Sequence, residues 1–141
     1  MDVRYDETTK DLPPEQLHAL FQAVGWSDGS ETAEMIRNYN FPFLHSTLVV
    51  SAWRNDLLVG AVRVLSDTLF RSIIYDLLVL PALQSRGIGK ELLRRCIAHF
   101  PDSEWLVQTT EPMAGYYEKN GFQVNRDVFL TIPCKLFTLP E

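Results

Sequence analysis

The stretch Asp76-Leu77-Leu78-Val79-Leu80-Pro81-Ala82-Leu83-Gln84-Ser85-Arg86-Gly87-Ile88-Gly89-Lys90-Glu91-Leu92-Leu93 decides how the rest of the chain is read. An apolar run ends at a proline, passes through a glycine-rich turn and enters an amphipathic pattern. Pro81 has no N–H for a sheet ladder, so a strand should stop there. The glycines let the backbone turn sharply and leave room for a ligand to approach. The helix behind them brings unpaired N–H groups and the positive end of its dipole to the same point. That combination is an anion site built from backbone, suited to a pyrophosphate.

Working outward, the strand before this turn belongs to a meander. Thr47 to Trp53 and Leu57 to Leu65 read as strands joined at Arg54-Asn55-Asp56, and Ser72 to Leu80 follows them. Ile73, Ile74, Leu77, Leu78, Val79 and Leu80 make the third strand apolar on both faces, as for a central strand covered by helices. Behind the turn, Ile88, Leu92, Leu93, Cys96, Ile97 and Phe100 line one helix face. Cys96 lies on that face and reads as a small core residue. Glu104 to Thr109 is a further strand. Pro112 opens a helix that Gly121 ends, and Phe122 to Val124 with Val128 to Ile132 read as a last hairpin. Phe137 and Leu139 are expected to tuck a tail against the body.

Upstream, Val3 to Tyr5 reads as a short strand. Pro13-Pro14 opens a helix carrying Leu17, Leu20, Phe21 and Val24 on one stripe, which Gly25 stops. His18 falls off that stripe and reads as a solvated surface residue. Trp26 to Ser30 is a turn-rich link, and Ser30 is expected to cap a second helix running to about Tyr39. Asn40-Phe41-Pro42-Phe43 reads as a break rich in aromatics.

The totals set bounds. The chain has 141 residues, 46% of them hydrophobic, which suits one domain with one core, residues 1–141. A formal net charge of -5 disfavours a nucleic-acid binder and suits a cationic substrate. The chain offers neither a signal peptide nor a run long enough to span a bilayer. Two cysteines make no disulfide framework, so the cytoplasm is the expected location. No Cys/His spacing implies a metal. The P-loop pattern G-x-x-x-x-G-K-[ST] is missing, which disfavours that class of nucleotide binder.

The Gln84-to-Gly89 turn behind a Val-Leu-Pro strand end, with Tyr116-Tyr117-Glu118-Lys119-Asn120-Gly121-Phe122 further on, resembles the GNAT family, the GCN5-related N-acetyltransferases. The likeness is most specific from Asp76 to Phe122. It implies an α/β (α+β) fold: a mixed, mostly antiparallel sheet of about 6–7 strands with about four helices on both faces. It implies acetyl-CoA as cosubstrate and an amine acceptor, joined by direct attack in a ternary complex. In the family such a turn holds the coenzyme pyrophosphate. That assigns coenzyme contacts to Gln84, Ser85, Arg86, Gly87, Ile88, Gly89 and Lys90. For the Arg86 and Lys90 side chains, solvated surface is an equal alternative. Leu78, Val79 and Leu80 would take the pantetheine arm as an added strand, with the Val79 N–H facing the thioester carbonyl. Losing one such donor elsewhere costs ~3 kcal/mol of barrier.

The resemblance makes Tyr117 the acid for the leaving thiolate or, more plainly, a packing residue on the pantetheine. A phenol stays protonated at neutral pH, where a thiolate of pKa ~8.5 needs a proton. Asp76 is the leading base for the amine, against a plain role as a structural ion-pair partner. A bulge would decide which face it takes. Glu111 is the second choice. Relatives often carry Asn before the Tyr-Glu-Lys helix, where this chain has Thr109-Thr110-Glu111; Thr110 is the residue available for that contact. Trp26 is the acceptor-binding candidate. A non-catalytic acyl-CoA-binding module with the same fold is the rival reading. C-terminal strands are the segment available for pairing in a homodimer.

Overall fold

The computed structural model describes residues 2–136. The chain divides into two compact units, Met1–Thr109 and Thr110–Glu141. Phe137 and Leu139, expected to pack a tail, lie outside the described residues.

In the first unit, β1 (Arg4–Asp6), α1 (Pro14–Ala23), α2 (Ala33–Arg37) and α3 (Phe41–Leu44) precede the sheet's long strands. These are β2 (Leu48–Arg54), β3 (Leu57–Ser66) and β4 (Arg71–Val79). A single 3-10 turn (Pro81–Leu83), α4 (Ile88–His99) and β5 (Glu104–Val107) complete the unit. The sheet order is β1-β2-β3-β4-β5. Neighbours are antiparallel from β1 to β4, and β5 joins β4 in parallel.

Local chemistry sets these connections. Asn55, at φ +52°, takes the tight turn between β2 and β3, a conformation its short amide tolerates. Between β3 and β4, the Asp67 carboxylate accepts from the N–H groups of Leu69, Phe70 and Arg71 and ties the turn. The parallel step from β4 to β5 needs a crossover, which α4 supplies.

The core has two faces. Leu12, Leu17, Leu20 and Phe43 bury against Val49, Leu58, Ala61 and Leu78 on one. On the other, α4 lays Ile88 and Leu92 over Gly60, whose neighbour Ala61 points the opposite way in the same strand. A Cβ at Gly60 would stand 3.1 Å from the Leu78 carbonyl oxygen, 3.3 Å from Leu92 Cδ1 and 3.4 Å from Ile88 Cγ2. This close approach seats the first turn of α4 directly on the sheet. Cys96 is buried on α4, and burial pushes its thiol up to about 12, which makes it inert at neutral pH.

The second unit holds one helix, α5 (Glu111–Lys119), and no strand among its described residues. The sheet therefore has five strands rather than six or seven, and the expected hairpin of Phe122–Val124 with Val128–Ile132 is not formed. Val128, Leu130 and Ile132 carry the alternation of a strand but stand almost fully exposed. Strand propensity is a preference for a half-buried pleated surface, and the second unit presents none to them.

Smaller differences have local causes. Phe41–Leu44 is a short helix of one turn and not a break; Pro42 sits in its first turn, where proline is tolerated. Thr32 caps α2 in place of Ser30, its hydroxyl accepting from the Met35 N–H at 3.2 Å. The Ser30 N–H is taken by the Asp28 carboxylate at 2.9 Å, which holds that residue in the link. His18 is buried rather than solvated, because the link folds back over it. No helix among the described residues is long and apolar enough to cross a membrane.

Candidate active site

The site begins where β4 loses a partner. Its pairing with β5 runs from Arg71↔Glu104 to Ile74↔Val107 and ends there. From Asp76 to Val79, β4 is paired through β3 on one side only. The Leu80 N–H donates to the Val59 carbonyl at 2.9 Å, toward β3. Backbone groups alternate along a strand, so the N–H of Leu78 also faces β3, and the N–H and carbonyl of Val79 face the open side. The outward Val79 carbonyl accepts from Gln84 Nε2 at 3.2 Å. Gln84, expected at the turn for a ligand, thus also ties the turn to the strand end.

Beyond Val79, the 3-10 turn delivers Ser85 at φ +66° and Gly87 at φ +86°. A Cβ at Gly87 would meet nothing within 4 Å, so glycine serves the left-handed conformation there rather than space. Gly87 is the N-terminal cap residue of α4, with no side-chain cap bond. The first bond within the helix runs from the Glu91 N–H to the Gly87 carbonyl at 3.0 Å. The N–H groups of Ile88, Gly89 and Lys90 precede it and have no acceptor within the helix.

Charge around the turn is graded. No carboxylate lies within ion-pair distance of Arg86 or Lys90 among the described residues. One turn further on, Arg94 and Arg95 are tied to Glu91, and those guanidiniums hold its carboxyl down at about 2. Arg95 also reaches Glu7 at 2.8 Å. The cations nearest the glycine turn are thus left without an internal anion.

Asp76 sits at a β-bulge. Arg63 pairs with Asp76 while Val64 pairs with Ile74, leaving Tyr75 as the extra residue. The Arg63 Nε donates to Asp76 Oδ2 at 2.5 Å. The same guanidinium lies 5.2 Å from the Tyr75 ring centroid and 5.9 Å from that of Phe43. Arg63 escaped the sequence reading, as did Gly60. For Gly60 the available signal was a glycine inside a strand pattern, which marks close backbone approach. Arg63 carried no such signal, since its partner is fixed only by register.

On the α1 side, Trp26 is 55% exposed and packs edge-on to Phe21 at 5.8 Å between centroids. Phe21 in turn meets Tyr39 at 5.2 Å and Phe43 at 6.3 Å.

The second unit carries Thr110 and Tyr117. Thr110 is the cap residue of α5 and makes no side-chain cap bond; its carbonyl accepts from the Met113 N–H at 3.0 Å. Tyr117 meets Tyr116 at 5.3 Å and Phe122 at 5.5 Å, both edge-on. The Phe122 N–H donates to the Tyr117 carbonyl at 3.1 Å, which fixes that pair. Burial, aided by Tyr116, pushes the Tyr117 phenol up to about 12, so it stays protonated through neutral pH.

A glycine turn on a helix N-terminus, entered from a half-open strand edge, gathers backbone N–H groups in an arrangement suited to an extended, anionic ligand. Comparison with known proteins makes the class specific. Residues 45–124 match the family model described as an acetyltransferase (GNAT) domain. The chain belongs to the GNAT acetyltransferase family.

Among relatives, it is 29% identical over 125 residues to an uncharacterized N-acetyltransferase ycf52 of Porphyra purpurea, covering 84% of this chain and 69% of that one. It is 32% identical over 123 residues to GCN5-related N-acetyltransferase 1, chloroplastic, of Arabidopsis thaliana, covering 85% of this chain and 61% of that one. Among solved structures, the GNAT family acetyltransferase SP0256 of Streptococcus pneumoniae TIGR4 superposes with a TM-score of 0.75 at 27% identity, over 94% of this chain and 98% of that one. Among the described residues no group of three His, Cys, Asp or Glu could hold a metal ion.

Proposed function

We propose that the protein is an acetyl-CoA-dependent N-acetyltransferase acting on an amine by direct attack, as one domain over residues 1–141. One observation carries the reading: the Val79 N–H faces an open strand edge that leads straight into the glycine turn. The pantetheine arm adds to Leu78, Val79 and Leu80 as a strand. The N–H groups of Ser85, Gly87, Ile88 and Gly89 hold the pyrophosphate, with the free cations Arg86 and Lys90 and the Gln84 amide beside it. Thr110 contributes a coenzyme contact, and Trp26 lines the acceptor side.

In the reaction, the neutral amine nitrogen bonds to the thioester carbon, and the carbonyl oxygen gains charge opposite the Val79 N–H. The carbon–sulfur bond then breaks. The amine's proton passes to Asp76 through water, and Tyr117 donates to the departing sulfur. A phenol at about 12 is a weaker acid than the thiol of pKa ~8.5 that it serves. Tyr117 therefore works more by its hydrogen bond than by full transfer. No resident metal, nucleic acid or membrane enters the scheme, the cytoplasm is the place of action, and pairing of two copies runs through C-terminal segments.

A second reading, an acyl-CoA binder without turnover, is favoured by one observation: Asp76 is already engaged by Arg63. Calorimetric titration with acetyl-CoA and with CoA tests the shared part. Micromolar binding of both is expected, and no binding by a folded sample would end both readings. Thiol release in the presence of amines then separates enzyme from binder.

A further inference from the structure

We propose that Arg63 is a positioning residue for the transfer: it holds one carboxylate oxygen of Asp76, Oδ2, and so presents the other, Oδ1, to the proton leaving the acceptor amine. The inference rests on the acetyltransferase reading above and adds to it the group that aims the base.

The grip is one-sided. Arg63 Nε donates to Asp76 Oδ2 at 2.5 Å, and among the described residues no hydrogen bond reaches Oδ1. A two-sided pair stands elsewhere in the same molecule. Arg94 takes both oxygens of Glu91, Nε to Oε2 at 2.9 Å and Nη2 to Oε1 at 2.5 Å. A fork closed in that way occupies the whole carboxylate. Asp76 instead keeps an oxygen with open lone pairs, on a side chain that is 20% exposed, so water can reach it. Engagement by Arg63 therefore does not take Asp76 out of the chemistry.

The guanidinium is itself held from outside the pair. Its carbon lies 5.2 Å from the Tyr75 ring centroid and 5.9 Å from that of Phe43. Phe43 is buried in the core and packs edge-on to Phe21 at 6.3 Å. It also puts the pair on the α1 face of the sheet, the side proposed for the acceptor. Tyr75 is the residue that the bulge adds to β4, and a bulge re-aims the side chains around it. An arginine set between two rings has little freedom left to lose when it orders a carboxylate.

The place along the strand fits the step. Pairing with β5 ends at Ile74, so Asp76 begins the stretch of β4 that is paired on one side only. It stands three residues before Val79, ~10 Å of strand. That span takes carboxylate, water, amine nitrogen and thioester carbon in series. As the carbon–nitrogen bond forms, the nitrogen gives a proton to the water and the water gives one to Oδ1. The carbon–sulfur bond then breaks with its electron pair on sulfur. Without Arg63 the base is still present, but its carboxylate is free to turn away from that line.

The test is a double-mutant cycle on the full chain. Thiol release from acetyl-CoA is read with the fastest acceptor among benzylamine, 1-aminopentane, 1,5-diaminopentane and glycinamide. Asp76→Asn should lower kcat about a hundredfold or more. Arg63→Ala should lower kcat about tenfold with the acetyl-CoA KM unchanged. Arg63→Lys, which keeps the charge and loses the planar fork, should fall between Arg63→Ala and the natural protein. In the Asp76→Asn background, Arg63→Ala should cost nothing further, because Arg63 acts only through that carboxylate. A cooperative melt and an unchanged CoA titration qualify each variant, and where Arg63→Ala melts early, Arg63→Lys carries the same cycle. Natural kcat in Arg63→Ala, or an equal loss with and without the Asp76 carboxylate, overturns the proposal and leaves the acetyltransferase reading standing. If the natural protein binds no acetyl-CoA, or releases no thiol with any of the four amines, the enzyme reading falls and this inference with it.

Discussion

The two sides of β4 are built from different materials. The side proposed for the coenzyme consists of N–H groups: Val79 on an open edge, then the turn through Gly87 and the first turn of α4. The side proposed for the acceptor draws on side chains from α1, from the link before α2, from α3 and from β3. Backbone donors are present whatever the side chains are, so the first side depends on conformation. The second depends on identity, and four separate segments must fold before it exists. On the proposed function, variation in the link and in α1 would change the acceptor while the coenzyme cradle stays as it is.

The strongest break of this comparison is Gly87→Glu. It puts a carboxylate where the turn gathers N–H groups, at a φ that costs a side chain ~1–2 kcal/mol. CoA affinity measured by calorimetry should fall about a hundredfold or more, with a cooperative melt retained. Unchanged CoA affinity would rule out the turn as the phosphate site.

Next in size is Tyr117→Phe, which removes one hydroxyl and keeps the ring between Tyr116 and Phe122. Turnover by thiol release should drop about tenfold to a hundredfold with the acetyl-CoA KM unchanged. Unchanged turnover would leave Tyr117 as packing alone.

The smallest effect is expected behind the turn, at Glu91. Its folded carboxyl is held at about 2, below its ordinary value, chiefly by Arg94 and then Arg95. A depressed carboxylate adds stability above its unfolded pKa and loses it as pH falls through the folded one. Glu91→Gln should therefore cost no more than ~1 kcal/mol at pH 7, since the pairs are solvent-screened. That difference should shrink in thermal melts as pH is lowered from 6 toward 3. A difference that grows on acidification would mean that the ion pairs do not support α4.

How much of this was legible differs along the same lines. The meander, the stop at Pro81, the turn and α4 follow from alternation, one proline and glycines in fixed order, all of which act within a few residues. The Val79 N–H was picked out by the resemblance at the Val-Leu-Pro strand end, and the register with β3 turns it to the open side. Elsewhere the pattern misled. His18 looked solvated because it lies off the apolar stripe of α1, yet the link returns and buries it against Glu31. Val128 to Ile132 alternates like a strand and is not one, because a strand also needs a neighbour.

What the sequence determined by itself is the backbone-encoded part: the order of elements from β2 through α4, the glycine turn and the membership in an acetyltransferase family that its motifs announced. Those features are local, and short-range sterics dictate them. Tertiary structure alone decided that Asp76 answers to Arg63, that Gly60 lets α4 reach the sheet, and that His18 is buried against Glu31. Such pairings join residues far apart in the chain, and only the register and packing of the folded sheet bring them within reach.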